Sequence, residues 1–170
     1  MLELAERAHE AELEFILIGG HAVAVVGRAR STRDVDFLVR KNDVERWKSL
    51  LGALDFSVAF ERAPFVQFSS SEELPLPEVD LMVVDEDTFQ QFVEEAVEFP
   101  GTKGELQVAG PVHLIALKLH AMKSREGALR EQDWADILSI AEKNNLQPDE
   151  SPLREIIDKH GPEGIRDRWP

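Results

Sequence analysis

The sequence EFILIGGHAVAVVGRARSTRDVDFLV occupies residues 14–39 and carries the pattern that decides the fold. Residues 14–18 are almost wholly apolar and predict a short buried strand, which the pair Gly19-Gly20 ends. Residues 21–26 suit a short helix. Residues 34–39 begin with alternating acidic and apolar side chains and then turn fully apolar, which predicts a second strand. This stretch therefore predicts a strand, a glycine turn, a helix and a strand in close succession.

A pair of acids opens the second predicted strand. Asp34 and Asp36 are two residues apart, so their side chains project from the same face of a strand. A lone Asp-x-Asp pair is also compatible with the ordinary start of a strand. However, two like charges held so close favour a cation between them, and hard oxygen ligands on a rigid strand suit Mg²⁺ or Mn²⁺.

A third acid repeats the pattern further along the chain. Asp80 enters the apolar run of residues 81–84, and residues 78–84 predict another strand. If this strand lies beside the first, Asp34, Asp36 and Asp80 converge, which is sufficient for a two-metal phosphoryl-transfer site. We therefore expect all three acids to be metal ligands and catalytic residues, with Asp80 as the base for the attacking hydroxyl or as the bridge to it.

The glycine pair adds a feature that phosphate binding requires. Gly19 and Gly20 lie at a strand end before a helix, where backbone N–H groups can approach a phosphate without an intervening side chain. An ordinary strand-to-helix turn has the same composition. The uncommon feature is the combination, in which thirteen residues separate Gly20 from Asp34, followed by Asp36 and the later Asp80.

This combination resembles the nucleotidyltransferase superfamily related to DNA polymerase beta, whose motif is a Gly-Gly or Gly-Ser turn followed by Asp-x-Asp. The run from Gly19 to Val39 is similar to the minimal bacterial branch that includes AbiEii-type toxin–antitoxin nucleotidyltransferases. The resemblance is strongest over residues 14–39 and weaker over 79–84 and 111–138. Gly20 departs from the many relatives that have Ser at this position.

The resemblance implies a role for each matching residue. Gly19 and Gly20 would meet the triphosphate of a nucleoside triphosphate such as ATP. Asp34 and Asp36 would bind metal, and Asp80 would complete the triad.

The helical end of the chain carries the basic candidates. The run from Pro111 predicts a helix to about Ser124, on which Lys118 lies among apolar positions with Arg125 on its stripe. A lysine in this setting either extends to solvent or borders a cleft and reaches a phosphate. We expect Lys118 and Arg125 to be nucleotide-binding residues. A second predicted helix, residues 132–143, carries Asp133 and Asp136, which we expect to form structural ion pairs with Arg125 or Lys118.

The order of predicted elements indicates an α+β protein. The resemblance implies a nucleotidyltransferase-like mixed β-sheet flanked by helices, followed by a C-terminal helical segment. We expect a catalytic domain at residues 1–110 and a helical segment packed on it at residues 111–170.

The composition of the chain limits the classes of function that it can have. The chain lacks cysteine, which excludes disulfides and thiolate chemistry. A net charge of −14 disfavours nonspecific binding of nucleic acid by the whole surface. Residues 71–100 contain ten acids and no Lys or Arg, whereas residues 118–130 carry a net charge of +3. With no signal peptide and no apolar run long enough to span a bilayer, we expect a soluble, cytoplasmic protein with no membrane partner.

Three hypotheses of function follow. The leading one is metal-dependent transfer of a nucleoside monophosphate from an NTP to a hydroxyl of RNA, a protein or a small molecule, within a toxin–antitoxin system. The second is a non-catalytic partner or antitoxin with the same fold, which uses the acidic residues 71–100 to face a basic toxin. The third is a metal-dependent nuclease or phosphatase, which needs the acids but gains nothing from the glycine turn.

Overall fold

The computed structural model describes residues 1–71, 76–102 and 106–169. These residues form seven helices and seven strands, and two short 3₁₀ helices cover Lys41–Asp43 and Ile165–Arg168. The helices are α1 (Leu2–Glu10), α2 (Gly19–Val26), α3 (Val44–Ala53), α4 (Glu86–Glu94), α5 (Pro111–Ala121), α6 (Gly127–Lys143) and α7 (Leu153–His160). The strands are β1 (Ile16–Leu17), β2 (Val35–Arg40), β3 (Phe56–Arg62), β4 (Phe65–Ser70), β5 (Val79–Val84), β6 (Val97–Glu98) and β7 (Gln107–Val108).

All seven strands join one mixed sheet in the order β3-β4-β5-β2-β1-β7-β6. The central pair, β2 and β5, is parallel, as is the pair of β1 and β7, and the remaining neighbours are antiparallel. The mixed α+β fold predicted from the sequence is therefore confirmed.

The chain divides into two compact units. The first comprises Met1–Ala22 and Ser31–Ala109, and the second comprises Val23–Arg30 and the chain from Gly110 onward. The division at Gly110 matches the start of the predicted helical segment, but the grouping of Val23–Arg30 with that segment was not anticipated. The assignment of separate domains stays a prediction.

The core of the first unit lies under one face of the sheet. Phe15, Phe37 and Trp47 form an aromatic cluster with ring centroids 4.8 to 5.7 Å apart. Phe37 and Trp47 are completely buried, because every second residue of β2 points to this face and α3 covers it. Because Phe37 points into this core, its neighbour Asp36 points to the opposite face of β2.

The second unit is helical, and polar contacts join the end of α6 to the end of α2. Helix α5 packs against α6 and α7, and the rings of Trp134 and Trp169 meet edge to face at 5.2 Å. Lys143 Nζ donates to the Val25 carbonyl at 2.8 Å, and Asn144 Nδ2 donates to the Val26 carbonyl at 2.7 Å. These contacts satisfy carbonyl groups at the end of α2 that have no partner within the helix.

Most predicted elements are present, and several of them begin or end at other residues than predicted. Helix α2 begins at Gly19 and not after the glycine pair, so both glycines belong to its first turn. Residues 88–97 have an amphipathic pattern that predicts a helix, but helix α4 ends at Glu94 and strand β6 follows at Val97–Glu98. Helix α6 begins at Gly127, five residues before the predicted start. The sequence also predicts a loop over residues 69–77 and a short edge strand over residues 105–108. Residues 72–75 of that loop and residue 105 of that strand lie outside the described residues.

Candidate active site

The register of the two central strands brings two of the predicted acids together. Asp36 of β2 is the direct partner of Asp80 of β5. In a parallel pair, partner residues point to the same face, and their backbones are about 4.8 Å apart. The two carboxylates therefore stand side by side on the sheet face opposite the aromatic cluster.

Asp34 joins this pair from the loop that leads into β2. The hydrogen bond from the Val35 N–H to the Glu78 carbonyl, at 2.9 Å, ties the starts of β2 and β5 together. Asp34 is exposed, and its charge contributes to raising the pKa of Asp80. Each of the three acids predicted from the sequence thus belongs to one end of the same strand pair.

Gly19 lies directly against the carboxylate of Asp36. Its φ of +64° is in the left-handed region, and a Cβ built on it would overlap Asp36 Oδ2. Only glycine meets both conditions without strain. Gly20 follows in the first turn of α2, where backbone N–H groups have no partner within the helix and favour anions.

Asp80 is the acid most affected by its surroundings. Burial raises the pKa of Asp80, a hydrogen bond from Gln67 lowers it, and the charges of Asp34 and Glu78 raise it further, with the net shift upward. Within the described chain, Asp80 Oδ1 is buried and has no hydrogen-bond partner. A buried carboxylate oxygen without a donor is costly, and a cation would satisfy it.

These residues fit a hard divalent cation. The donors are all carboxylate oxygens, which Mg²⁺ and Mn²⁺ prefer, and Asp80 Oδ1 has no hydrogen-bond partner among the described residues. Across residues 1–71, 76–102 and 106–169, no three His, Asp or Glu side chains are close enough to hold a metal as they stand. Binding by all three acids therefore requires them to turn toward one another, which like charges resist until a cation lies between them.

The basic candidates form a separate cluster within the second unit. Lys118 Nζ lies 2.9 Å from Asp133 Oδ1 and 2.8 Å from Asp136 Oδ2. Arg125 Nη1 lies 2.8 Å from Asp133 Oδ2, and Arg30 Nε lies 3.1 Å from Asp136 Oδ1. The predicted ion pairs of both aspartates are confirmed, whereas the participation of Arg30 was not predicted.

Because of these ion pairs, a substitution of Lys118 would affect the stability of the fold and not only nucleotide binding. Asp133 and Asp136 are 1% and 3% exposed, so loss of Lys118 would leave buried carboxylates with fewer cations. The role of Lys118 and Arg125 as nucleotide ligands stays a prediction.

Sequence reasoning missed the polar neighbours of Asp80. Gln67 of β4 is the direct partner of Asp80, and its Nε2 donates to Glu78 Oε2 at 3.2 Å. Nothing in the local pattern of β4 marks Gln67, because its importance comes from a register that only the folded sheet defines.

The sheet order, the glycine turn and the paired acids define a protein of the nucleotidyltransferase class. The family model described as "Nucleotidyl transferase AbiEii toxin, Type IV TA system" matches residues 4–166. The chain therefore belongs to the AbiEii family of nucleotidyltransferases, as the sequence resemblance predicted. No curated protein sequence matches this one.

Solved structures share the fold at low sequence identity. The antibiotic-resistance factor ANT(2'')-Ia is 11% identical with a TM-score of 0.65, over 98% of this chain and 89% of that one. The lincosamide adenylyltransferase LnuA, solved with lincomycin, is 13% identical with a TM-score of 0.60, over 82% and 94% of the two chains. An antigenic nucleotidyltransferase-like protein from Paracoccidioides brasiliensis is 16% identical with a TM-score of 0.58, over 92% and 83%.

Two further findings bear on the predicted partners and location. Within the described residues, no helix is long and apolar enough to cross a membrane. The family description names a toxin of a toxin–antitoxin system, in agreement with the expected setting.

The contact between Gly19 and Asp36 can be tested by substitution. We expect Gly19→Ala to abolish nucleotidyl transfer and to cost about 1–3 kcal/mol of unfolding free energy, because the new methyl group displaces the Asp36 carboxylate. Gly164→Ala is the matched control, since Gly164 has a similar φ of +72° and nothing within 4 Å of the added Cβ. It should cost about 1–2 kcal/mol from backbone strain alone and retain activity. Full activity in Gly19→Ala would contradict the assignment.

The raised pKa of Asp80 predicts the sign of a pH effect. An acid whose pKa is higher in the folded state contributes stability below its unfolded pKa, and this is lost as pH rises through the folded pKa. Without divalent metal, Asp80→Asn should therefore raise Tm at neutral pH, and its advantage should shrink toward about pH 4, the ordinary pKa of Asp.

Asp85→Asn is a control for which the pH dependence of the change in stability has the opposite sign. Hydrogen bonds with the Thr88 side chain and from the Thr88 N–H lower the pKa of Asp85, so the stability that its carboxylate contributes is lost as pH falls. Thermal unfolding in EDTA at a series of pH values measures both effects. An Asp80→Asn variant that is less stable than the wild type at neutral pH would refute the burial argument.

Proposed function

We propose that this chain transfers a nucleoside monophosphate from an NTP to a hydroxyl acceptor, using a divalent cation held by Asp34, Asp36 and Asp80. The observation that carries the proposal is the in-register pairing of Asp36 with Asp80 on parallel strands. The packing of Gly19 against Asp36 and the membership of the family support it.

The reaction exchanges one phosphoester bond for another. The acceptor oxygen attacks the α-phosphorus, and the bond from that phosphorus to the oxygen bridging to the β-phosphate breaks. Pyrophosphate leaves with the electron pair of that bond. A bound Mg²⁺ or Mn²⁺ supplies Lewis-acid polarisation of the phosphoryl oxygens.

Residues of this chain hold the cation, accept the proton and bind the triphosphate. Asp34 and Asp36 hold the cation, and Asp80 accepts the proton of the attacking hydroxyl or directs it to water. Burial raises the pKa of Asp80, which suits this role. The N–H groups of Gly19 and Gly20 bind the triphosphate at the start of α2.

The second unit adds candidate phosphate ligands. Lys118 and Arg125 remain our proposed nucleotide-binding residues, each already paired with a carboxylate of its own unit. Their pairing with Asp133 holds both cations in place, which limits the side-chain entropy lost when an anion binds.

We also propose that the protein acts in the cytoplasm within a toxin–antitoxin pair and has a cognate antitoxin as partner. The family description supports this setting. The acceptor hydroxyl belongs to RNA, a protein or a small molecule.

Transfer of label from [α-³²P]NTP tests the reaction directly. The purified protein is incubated with each labelled NTP, Mg²⁺ or Mn²⁺, and cell extract, and RNA, protein and small molecules are then separated. We expect Asp36→Asn to lower transfer by at least about 100-fold while the fold is retained, because the negative charge of a carboxylate that holds the metal is lost.

Asp55→Asn is the matched control. Asp55 lies in the turn between α3 and β3 with a φ of 63°, which Asn also tolerates, so activity should be unchanged. Nucleotide binding without transfer would favour the non-catalytic partner instead. Full transfer by Asp36→Asn would exclude this site.

A further inference from the structure

The glutamine of β4 that pairs with Asp80 contacts two carboxylates. Gln67 is the register partner of Asp80, and its Nε2 donates to Glu78 Oε2 at 3.2 Å. Burial raises the pKa of Asp80, and a hydrogen bond from Gln67 opposes that shift. Glu78 lies two residues before Asp80 and therefore projects to the same face of the sheet. One amide thus joins two acids at the start of β5.

The two carboxylates determine which way this amide faces. A glutamine side chain has two N–H donors on Nε2 and one acceptor oxygen. Carboxylates attract N–H groups and repel an amide oxygen, so Glu78 and Asp80 favour the same orientation of the Gln67 amide. Glu78 accepts one N–H and leaves the other for Asp80.

The neighbour of Gln67 on the other side is apolar. Val58 pairs with Phe68 and Phe60 pairs with Gln67, so Ala59 is an extra residue that forms a bulge in β3. Phenylalanine has no hydrogen-bonding group in its side chain. Of the two register partners of Gln67, only Asp80 can therefore accept a hydrogen bond from the amide through its side chain.

The bridge between the two acids carries no charge. In the second unit, the cation of Lys118 lies within 2.9 Å of Asp133 and 2.8 Å of Asp136 and compensates their charges. Within the described chain, no cation is among the groups that shift the pKa of Asp80. A neutral amide at position 67 holds Asp80 and leaves its negative charge to attract a metal ion.

The contact with Gln67 also leaves one oxygen of Asp80 without a partner. Asp80 Oδ1 is buried and accepts no hydrogen bond from the described residues. A carboxylate that is held on one side by an amide loses less side-chain entropy when the remaining oxygen binds a cation. Groups that orient a metal ligand in this way support metal affinity although they do not touch the metal.

We propose that Gln67 is a positioning residue of the active site, whose neutral amide, oriented by Glu78, holds Asp80 so that Oδ1 faces the divalent cation. The inference rests on the proposed nucleotidyl transfer and assigns two residues that support metal binding at that site. Glu78 acts through Gln67, and Gln67 acts through Asp80.

Binding of Mn²⁺ alone tests this chain of contacts without a chemical step. Bound Mn²⁺ is measured by the loss of the EPR signal of the free ion. Gln67→Leu removes both N–H donors at nearly constant size, and we expect it to raise the Kd for Mn²⁺ about 10-fold. Gln90→Leu is the matched control and should leave the Kd unchanged, because it breaks a similar hydrogen bond, from Nε2 to Glu86 Oε1 at 2.8 Å, within α4.

A cationic side chain at the same position tests the importance of neutrality. Gln67→Lys can still donate to both acids, but its ammonium group compensates the charge of Asp80. We expect this variant to raise the Kd for Mn²⁺ about 100-fold, more than Gln67→Leu does.

Variants of Glu78 test whether it acts through Gln67. Glu78→Gln keeps an acceptor oxygen for the Gln67 amide, and because Glu78 is exposed its charge is screened, so the Kd should stay within about 2-fold of the wild-type value. Glu78→Leu removes the acceptor and should raise the Kd about 5-fold. Added to Gln67→Leu, it should raise the Kd no further, since the group through which it acts is absent.

Steady-state kinetics give a second measurement that a merely structural residue would not affect selectively. We expect Gln67→Leu to lower kcat about 10-fold and to leave the KM for NTP unchanged, because the triphosphate is proposed to bind at Gly19 and Gly20 and not at Asp80. Thermal unfolding in EDTA shows whether each variant is folded.

The outcomes separate this inference from the proposed function. Absence of Mn²⁺ binding that depends on Asp36 in the wild type refutes the proposed function, and this inference with it. If that binding is present, an unchanged Kd in Gln67→Leu, or additive effects of Gln67→Leu and Glu78→Leu, overturns this inference alone. If Gln67→Leu does not fold, the Glu78 variants decide, and equal Kd values for Glu78→Leu and Glu78→Gln overturn it.

Discussion

The in-register pairing of β2 with β5 is the constraint on which the candidate site depends. It sets Asp36 beside Asp80 and ties the loop carrying Asp34 to the start of β5. A shift of one residue would send Asp80 to the aromatic core, because alternate residues of a strand face opposite sides. Burial of Phe37 and Leu81 on that core side therefore specifies the position of both acids. Stability and chemistry depend on the same register.

The arrangement concentrates unfavourable charge at one end of the strand pair. Three acids lie there, and burial raises the pKa of Asp80, whose Oδ1 has no hydrogen-bond partner among the described residues. The packed sheet holds these acids together because the aromatic cluster on its other face is buried and closely packed. Such a site gains affinity for a cation from the repulsion that it relieves. In the second unit, Lys118, Arg125 and Arg30 compensate the charges of Asp133 and Asp136 instead.

Local patterns in the sequence and the family resemblance were sufficient for the fold class and for the strands that carry Asp36 and Asp80, whereas the roles of the acids stay predictions. Asp-x-Asp before an apolar run indicates a strand with two acids on one face, and the Gly-Gly turn placed the start of α2 within two residues. The pairing of Gln67 with Asp80 and the bulge at Ala59 could not be predicted, because both depend on register between strands that are distant in sequence. The contact of Arg30 with Asp136 was missed for the same reason, since 106 residues separate them.

The most direct measurement of the central claim is anomalous diffraction from crystals grown with Mn²⁺ and a non-hydrolysable NTP analogue. We expect a manganese peak about 2.1 Å from carboxylate oxygens of both Asp36 and Asp80, with the triphosphate at the start of α2. Manganese bound only elsewhere, or bound to Asp36 with Asp80 outside its coordination sphere, would contradict the claim that strand register builds the metal site.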